Sequence, residues 1–254
     1  MKKFIFITLF FSAEIFAQEH YLVINPEGHK ALIYDTDIDA DGNLVTGSFD
    51  KTVKIWDVER GFIKKEFLGQ IGPGSEGMVY TVDVSPDNKY LAVAGWFGKD
   101  DEAEDLGDIR IYDYKTGFLK KQLKFHEDVV KSLKFSDDSN WLISGDASGF
   151  IIKWDYLLGA PFLYDRMAFG FSNLDTHLEY FVTTHEDGMI YKWDYNKTKP
   201  VKKINFFQKT KDRVVTPEVT ISKGGEHIAI SGKEIGMVLI FDEKIFDARL
   251  FFHR

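Results

Sequence analysis

Several groups of residues in this chain of 254 have types and spacings that chemistry could use. Asp37, Asp39, Asp41 and Gly42 open like a calcium loop, in which alternating carboxylates converge on a cation and glycine makes the bend. The twelfth position is Ser48, however, where such a loop needs a bidentate Glu. The segment therefore reads as a strand running into a turn. The acidic run Asp100, Asp101, Glu102, Glu104 and Asp105 could hold a cation or meet a basic partner, although such runs are more often solvated loops. His29, Asp50 and Thr46 make an imaginable hydrolytic triad, but no Gly-x-Ser-x-Gly elbow accompanies them. His185-Glu186-Asp187 lacks the His-Glu-x-x-His spacing of a zinc site. The glycines of residues 69–74 are not followed by the Lys-Ser or Lys-Thr of a phosphate loop. No catalytic, metal or cofactor site is expected, and the chain reads as a non-enzyme.

The elements that hold these residues are repeated. Leu44 to Asp57 reads LVTGSFDKTVKIWD, two β-branched runs about a turn at Asp50, which predicts a hairpin. Leu142 to Asp155 (LISGDASGFIIKWD), Phe181 to Asp194 (FVTTHEDGMIYKWD) and Ala229 to Asp242 (AISGKEIGMVLIFD) are further copies. A more distant copy opens at Leu91 and resumes at Asp108. The closing aromatic falls at Trp56, Tyr112, Trp154, Trp193 and Phe241, a period near forty residues that fits four-stranded propeller blades.

On these residues the chain resembles the WD40-repeat family over nearly everything after residue 20. The resemblance implies an all-β, WD40-type β-propeller spanning residues 18–254. About five four-stranded blades are expected, near 31–68, 78–125, 129–165, 167–206 and 214–252, plus a lone N-terminal strand at Tyr21–Ile24. Most members have seven blades, so an open or incomplete ring is expected, with self-association at exposed sheet faces. The family also implies a hydrogen-bonded chain of His, Ser or Thr, Asp and Trp within a blade. His29, Thr46, Asp50 and Trp56 match all four positions in the first blade. In the hydroxyl column stand Ser144, Thr183 and Ser231, but Ala94 in the second blade; in the Asp column stand Asp187, but Ser148 and Ile235. Only the first blade is expected to have the full set.

Composition bounds the partner and the compartment. The formal charge of −8 argues against binding a nucleic-acid backbone, which releases counterions to cationic proteins. With no cysteine there is no disulfide, thiol nucleophile or lipidated cysteine. Lys2-Lys3, the apolar run Phe4 to Phe11 and the exit to Ala17 have the layout of a bacterial signal peptide, residues 1–17, whose apolar run is too short for a transmembrane helix. A periplasmic or secreted protein with no membrane span after cleavage is expected.

Two insertions in the second blade, residues 69–77 and 99–108, fall on one face of the expected ring. Loops on a rigid scaffold are where binding usually lives. The expected function is a protein-binding scaffold, with Pro73, Glu76, Trp96, Asp100, Asp101 and Glu102 as contacts. The alternative is the regulatory propeller of a larger enzyme, a caspase-like peptidase whose catalytic part lies elsewhere.

Overall fold

A computed structural model of the chain describes residues 28–68, 72–97, 106–205, 217–232, 237–242 and 248–251. The expected leader, the lone strand at Tyr21–Ile24 and the acidic residues 100–105 lie outside them. Among the described residues there is no helix and no segment long and apolar enough to cross a membrane as one.

Twenty strands form five four-stranded sheets, each antiparallel and in sequence order. The first sheet holds β1 (Ile33–Ile38), β2 (Leu44–Ser48), β3 (Thr52–Asp57) and β4 (Phe62–Leu68). The second holds β5 (Val79–Val84), β6 (Tyr90–Gly95), β7 (Gly107–Asp113) and β8 (Leu119–His126). The third has β9 (Val130–Phe135), β10 (Leu142–Asp146), β11 (Phe150–Asp155) and β12 (Ala160–Arg166), and the fourth β13 (Phe171–His177), β14 (Tyr180–His185), β15 (Met189–Asp194) and β16 (Lys202–Asn205). The fifth comprises β17 (Pro217–Ile221), β18 (His227–Gly232), β19 (Met237–Asp242) and β20 (Ala248–Phe251). This is the blade architecture expected of a WD40-type β-propeller, and the number of blades agrees.

The repeated hairpin keeps one register in three sheets, pairing Leu44 with Trp56, Leu142 with Trp154, and Phe181 with Trp193. In the fifth sheet the pairing slips by one residue, so that Phe241 lies opposite Ile228 rather than Ala229. Because successive side chains point to opposite faces, each hairpin serves two interfaces at once. Val45, Val53, Ile55 and Phe67 of the first sheet pack on Val82, Val84, Leu91 and Val93 of the second. Ala92, Ala94, Ile109 and Ile111, on the other face of that sheet, meet Leu142, Ile152 and Trp154 of the third. Ile143 and Ile151 then meet Phe171, Phe181 and Trp193 of the fourth. The contact is close enough to dictate glycine: a Cβ on Gly145 would stand 2.4 Å from the Phe171 ring, and one on Gly47 2.7 Å from Val79.

The first strand of each sheet packs against the first strand of the next, β1 on β5, β5 on β9, β9 on β13 and β13 on β17. Among the described residues, no strand pair from the first and fifth sheets packs to a comparable extent. An antiparallel meander puts the turns between first and second strands, and between third and fourth, at one end of the molecule. The turns between second and third strands, and the connections from sheet to sheet, lie at the other. We call these the turn end and the connector end.

Candidate functional site

The innermost strand of each sheet has an unpaired edge, whose backbone N–H groups need acceptors. Side chains of the preceding sheet supply them. Asp35 accepts from Val82 N (3.0 Å) and the Thr81 hydroxyl (2.8 Å), and Asp37 accepts from Val84 N at 2.8 Å. The pattern repeats one sheet on, where Thr81 Oγ1 accepts from Leu133 N and Asp83 accepts from Phe135 N (2.7 Å). It returns between the fourth and fifth sheets, where Asn173 and Asp175 accept from Val219 N and Ile221 N. Between the third and fourth the matching positions are Ser132 and Lys134, and the link reverses: Thr176 Oγ1 donates to the Phe135 carbonyl at 2.8 Å. Lys134 instead turns back, with Nζ 2.5 Å from Asp83 and 3.6 Å from Asp37. Burial pushes the carboxyl of Asp83 well above the usual range, partly opposed by Lys134. Burial works against the Lys134 ammonium too, but Asp83, Asp37 and Asp35 outweigh it and raise its pKa.

At the connector end these inner strands open into a cavity of about 320 Å³. Each of the first four carries a β-bulge there, at Tyr34, Tyr80, Lys131 and Ser172. A bulge inserts one unpaired residue and re-aims its side chain. All four bulged residues line the cavity, together with Asp35, Glu186 and Glu218. Tyr34 stacks on Phe49 (centroids 5.1 Å apart), Tyr80 closes on both rings at 4.9 and 5.0 Å, and Lys131 Nζ lies 5.1 Å above Tyr80. Burial, and after it the neighbouring Tyr34, raises the pKa of Tyr80, so its phenol stays a protonated donor at neutral pH. Ser172 Oγ is shut off from solvent without a hydrogen-bond partner. The result is an aromatic-walled mouth with a cation, carboxylates and an unused hydroxyl at its edge.

Of the expected contacts, Pro73, Glu76 and Trp96 stand on the same end. Gly77 N donates to the Trp96 carbonyl (2.6 Å) and Trp96 N to that of Met78 (2.9 Å), so the described flanks of the two insertions are joined. Pro73 is exposed. The indole Nε1 of Trp96 is shielded and has no partner. Glu76 requires a correction: it is only 8% exposed, folded under the 72–77 segment, and is not a surface contact. Asp100, Asp101 and Glu102 lie outside the described residues.

The four residues of the first-blade chain do meet. His29 Nε2 is 2.6 Å from Thr46 Oγ1, Trp56 Nε1 donates to that oxygen at 2.8 Å, and His29 Nδ1 lies 2.8 Å from Asp50. Burial would raise the pKa of Asp50, but the Thr52 hydroxyl, the Lys30 N–H and His29 bring it down to about 2. The expectation of a single complete set is corrected by the third sheet. There His126 lies 2.6 Å from Ser144 Oγ, Trp154 Nε1 donates to it at 2.8 Å, and Asp146 holds His126 Nδ1 at 2.9 Å. The carboxylate comes from two residues before Ser148, at the strand end rather than in the turn. In the fourth sheet His185, in the same column as Asp146, lies 3.1 Å from Thr183 Oγ1, which accepts from Trp193 at 2.9 Å. Burial drives the pKa of His185 down to about 4, so it is neutral near pH 7.

In the calcium-like segment the Asp37 and Asp39 carboxylates are engaged internally. Asp39 accepts from the backbone of Asp41 and Asn43, from the Asn43 amide and from Tyr114 Oη at 2.6 Å. Among the described residues no group of three His, Cys, Asp or Glu could hold a metal ion.

Sequence comparison agrees with this geometry. Residues 21–57 and 117–155 match the family model of the WD domain, G-beta repeat. The chain is 29% identical over 158 residues to the COMPASS component SWD3 of Saccharomyces cerevisiae, covering 59% of this chain and 46% of that protein. It is 32% identical over 135 residues to mouse Jouberin, covering 50% of this chain and 12% of Jouberin. Against the guanine nucleotide-binding protein subunit beta of Solanum tuberosum the identity is 28% over 134 residues, 52% of this chain and 34% of that one. The chain thus spans less than half the length of each of these relatives. Two stretches of the chain are accordingly WD40 repeats, carried on five four-stranded sheets of the β-propeller type and shared with WD-repeat proteins.

Proposed function

We propose that this chain is a non-enzymatic scaffold that binds a protein partner through its connector end, with the mouth of the inner-strand channel as the centre of contact. The observation that carries the reading is the set of four bulges, one at the same end of each of the first four inner strands, which turn Tyr34, Tyr80, Lys131 and Ser172 into one cavity. Tyrosines supply large, stiff contact area with a polar tip, the chemistry of protein-binding hot spots. Trp96 and Pro73 stand at the same end, and the acidic run 100–105 follows Trp96 in the chain. The relatives' names support the reading too, since they include a component of COMPASS and a subunit of the guanine nucleotide-binding protein. We place the scaffold in the periplasm or outside the cell on the signal-like layout of residues 1–17.

A pull-down from cell extract with wild type and with Tyr34→Ala/Tyr80→Ala tests the mouth. The reading predicts at least one protein recovered by wild type and lost from the variant. Equal recovery of every protein by both, with the variant folded, sinks it.

A further inference from the structure

The turn end carries a surface that partner binding at the mouth leaves unused. In the first three sheets, the turn between third and fourth strands and the residues just after it set large apolar side chains in solvent. Val58 is 62% and Phe62 45% exposed, Phe118 73% and Leu119 51%, and Leu157 55% and Leu158 75%. The three turns form one continuous rim. Lys65 on β4 donates to the carbonyls of Tyr114 and Lys115 in the next turn, at 3.2 and 3.0 Å, and Lys121 on β8 donates to that of Leu158 at 3.4 Å. Each turn contains a glycine in the left-handed region, Gly61, Gly117 and Gly159, so the tips share one shape.

The charge of this rim is opposite to that of the molecule. The chain as a whole is at −8, yet residues 57–65, 113–121 and 155–162 hold six Lys or Arg against four Asp or Glu. Arg60, Lys64, Lys115 and Lys120 are exposed among the apolar tips. Contiguous exposed apolar side chains mark an interaction surface. These six residues stand on hairpin tips and line neither the mouth nor the cavity between the third and fourth sheets. Protruding Phe and Leu interleaved with long cationic side chains are the composition of a bilayer interface.

We propose that this rim docks edge-on onto an anionic lipid bilayer, the apolar tips entering the headgroup layer and Arg60, Lys64, Lys115 and Lys120 meeting the lipid charge. A face-on approach is disfavoured, because Asp39, Asp83, Asp137 and Asp175 surround the channel opening at the same end.

Flotation of the purified chain with vesicles of phosphatidylcholine alone, and with about 30% phosphatidylglycerol added, tests this. Wild type is expected to float with the anionic vesicles, to float far less with neutral ones, and to lose binding at about 0.5 M NaCl. Lys64→Gln and Lys120→Gln should each weaken partitioning about fivefold, from ~1 kcal/mol per cation at a lipid surface. Phe118→Ser/Leu158→Ser should weaken it by about tenfold or more. Its melting temperature should stay that of wild type, because both side chains are more than half exposed. Wild type that ignores both vesicle types, as expected if the rim instead meets an acidic protein, overturns the proposal. So does equal flotation with neutral and anionic lipid, or a double variant that floats like wild type.

Discussion

Replacing Ser144 by alanine should be among the costliest single-atom deletions in the molecule. Its hydroxyl oxygen accepts from Trp154 Nε1 at 2.8 Å and lies 2.6 Å from His126 Nε2, and Trp154, Ser144 and the His126 and Asp146 side chains are shut off from solvent. Ser144→Ala leaves an indole N–H and one imidazole nitrogen unpartnered where water does not enter. Each such group costs ~1–3 kcal/mol, and the cavity left by one oxygen adds little, so ~2–4 kcal/mol is expected. Thr46→Ala in the first sheet should cost less, since Trp56 there is only half-buried. Urea unfolding followed by circular dichroism reads the loss, with the wild-type slope checked first, because stacked repeats can unfold in parts. Trp154→Phe and the double variant complete a cycle. Once the indole N–H is gone, removing Ser144 should hurt less, by ~1 kcal/mol or more of coupling. A Ser144→Ala loss below ~0.5 kcal/mol, or a double variant equal to the sum of the singles, would refute the reasoning.

Other perturbations follow from the same contacts. Lys134→Met strands the buried carboxylate of Asp83 and should cost ~2–3 kcal/mol at pH 8. The folded pKa of Asp83 is raised, so the stranded group can take up a proton as the pH falls; unfolding at pH 5 should show a smaller loss, and a larger one there contradicts the assignment. Asp50 titrates the other way. Its folded pKa of about 2 lies below the ordinary 3.8, so its stabilisation is full above pH 4 and disappears as the pH falls through 2. Asp50→Asn should therefore lose ~1 kcal/mol at pH 6 and little at pH 2, compared by urea midpoints. Gly145→Ala forces a Cβ into the Phe171 ring at 2.4 Å and should cost ~1–3 kcal/mol in thermal melts, whereas Gly42→Ala, with nothing within 4 Å of the added carbon, should lose only the strain of its positive φ.

The repeat itself was legible because the closing aromatic, the β-branched run before it and the hydroxyl ten residues earlier all sit in one hairpin, where sequence distance fixes spatial distance. Thr46 and Trp56, Ser144 and Trp154, and Thr183 and Trp193 are the three instances. The third-sheet carboxylate was not legible in the Asp50 column, where Ser148 stands. A carboxylate two residues earlier reaches the same histidine from the strand end, and Asp146 stands there in plain view. The channel links were missed for another reason. Asp35 and Asp37, Thr81 and Asp83, and Asn173 and Asp175 do recur at i and i+2, but what each touches lies about fifty residues away on the next sheet, and at the matching Ser132 and Lys134 the lysine turns back instead. The bulges were not legible at all. An extra residue at Tyr34 or Lys131 changes no composition or period; it shows only as a skipped partner in the ladder. Glu76 misled because its neighbours Pro73, Gly74 and Ser75 suggest an exposed loop, whereas the segment folds back and buries it.

The central claim, that the connector end receives a protein partner at the bulged mouth, is tested most directly by photo-crosslinking. Benzoylphenylalanine replaces Tyr34, 44% exposed at the mouth, or Leu178, 65% exposed at the turn end, in cells producing the chain. A discrete protein adduct from position 34 and none from position 178 is predicted. No adduct at 34, or the same adduct from both positions, would contradict it.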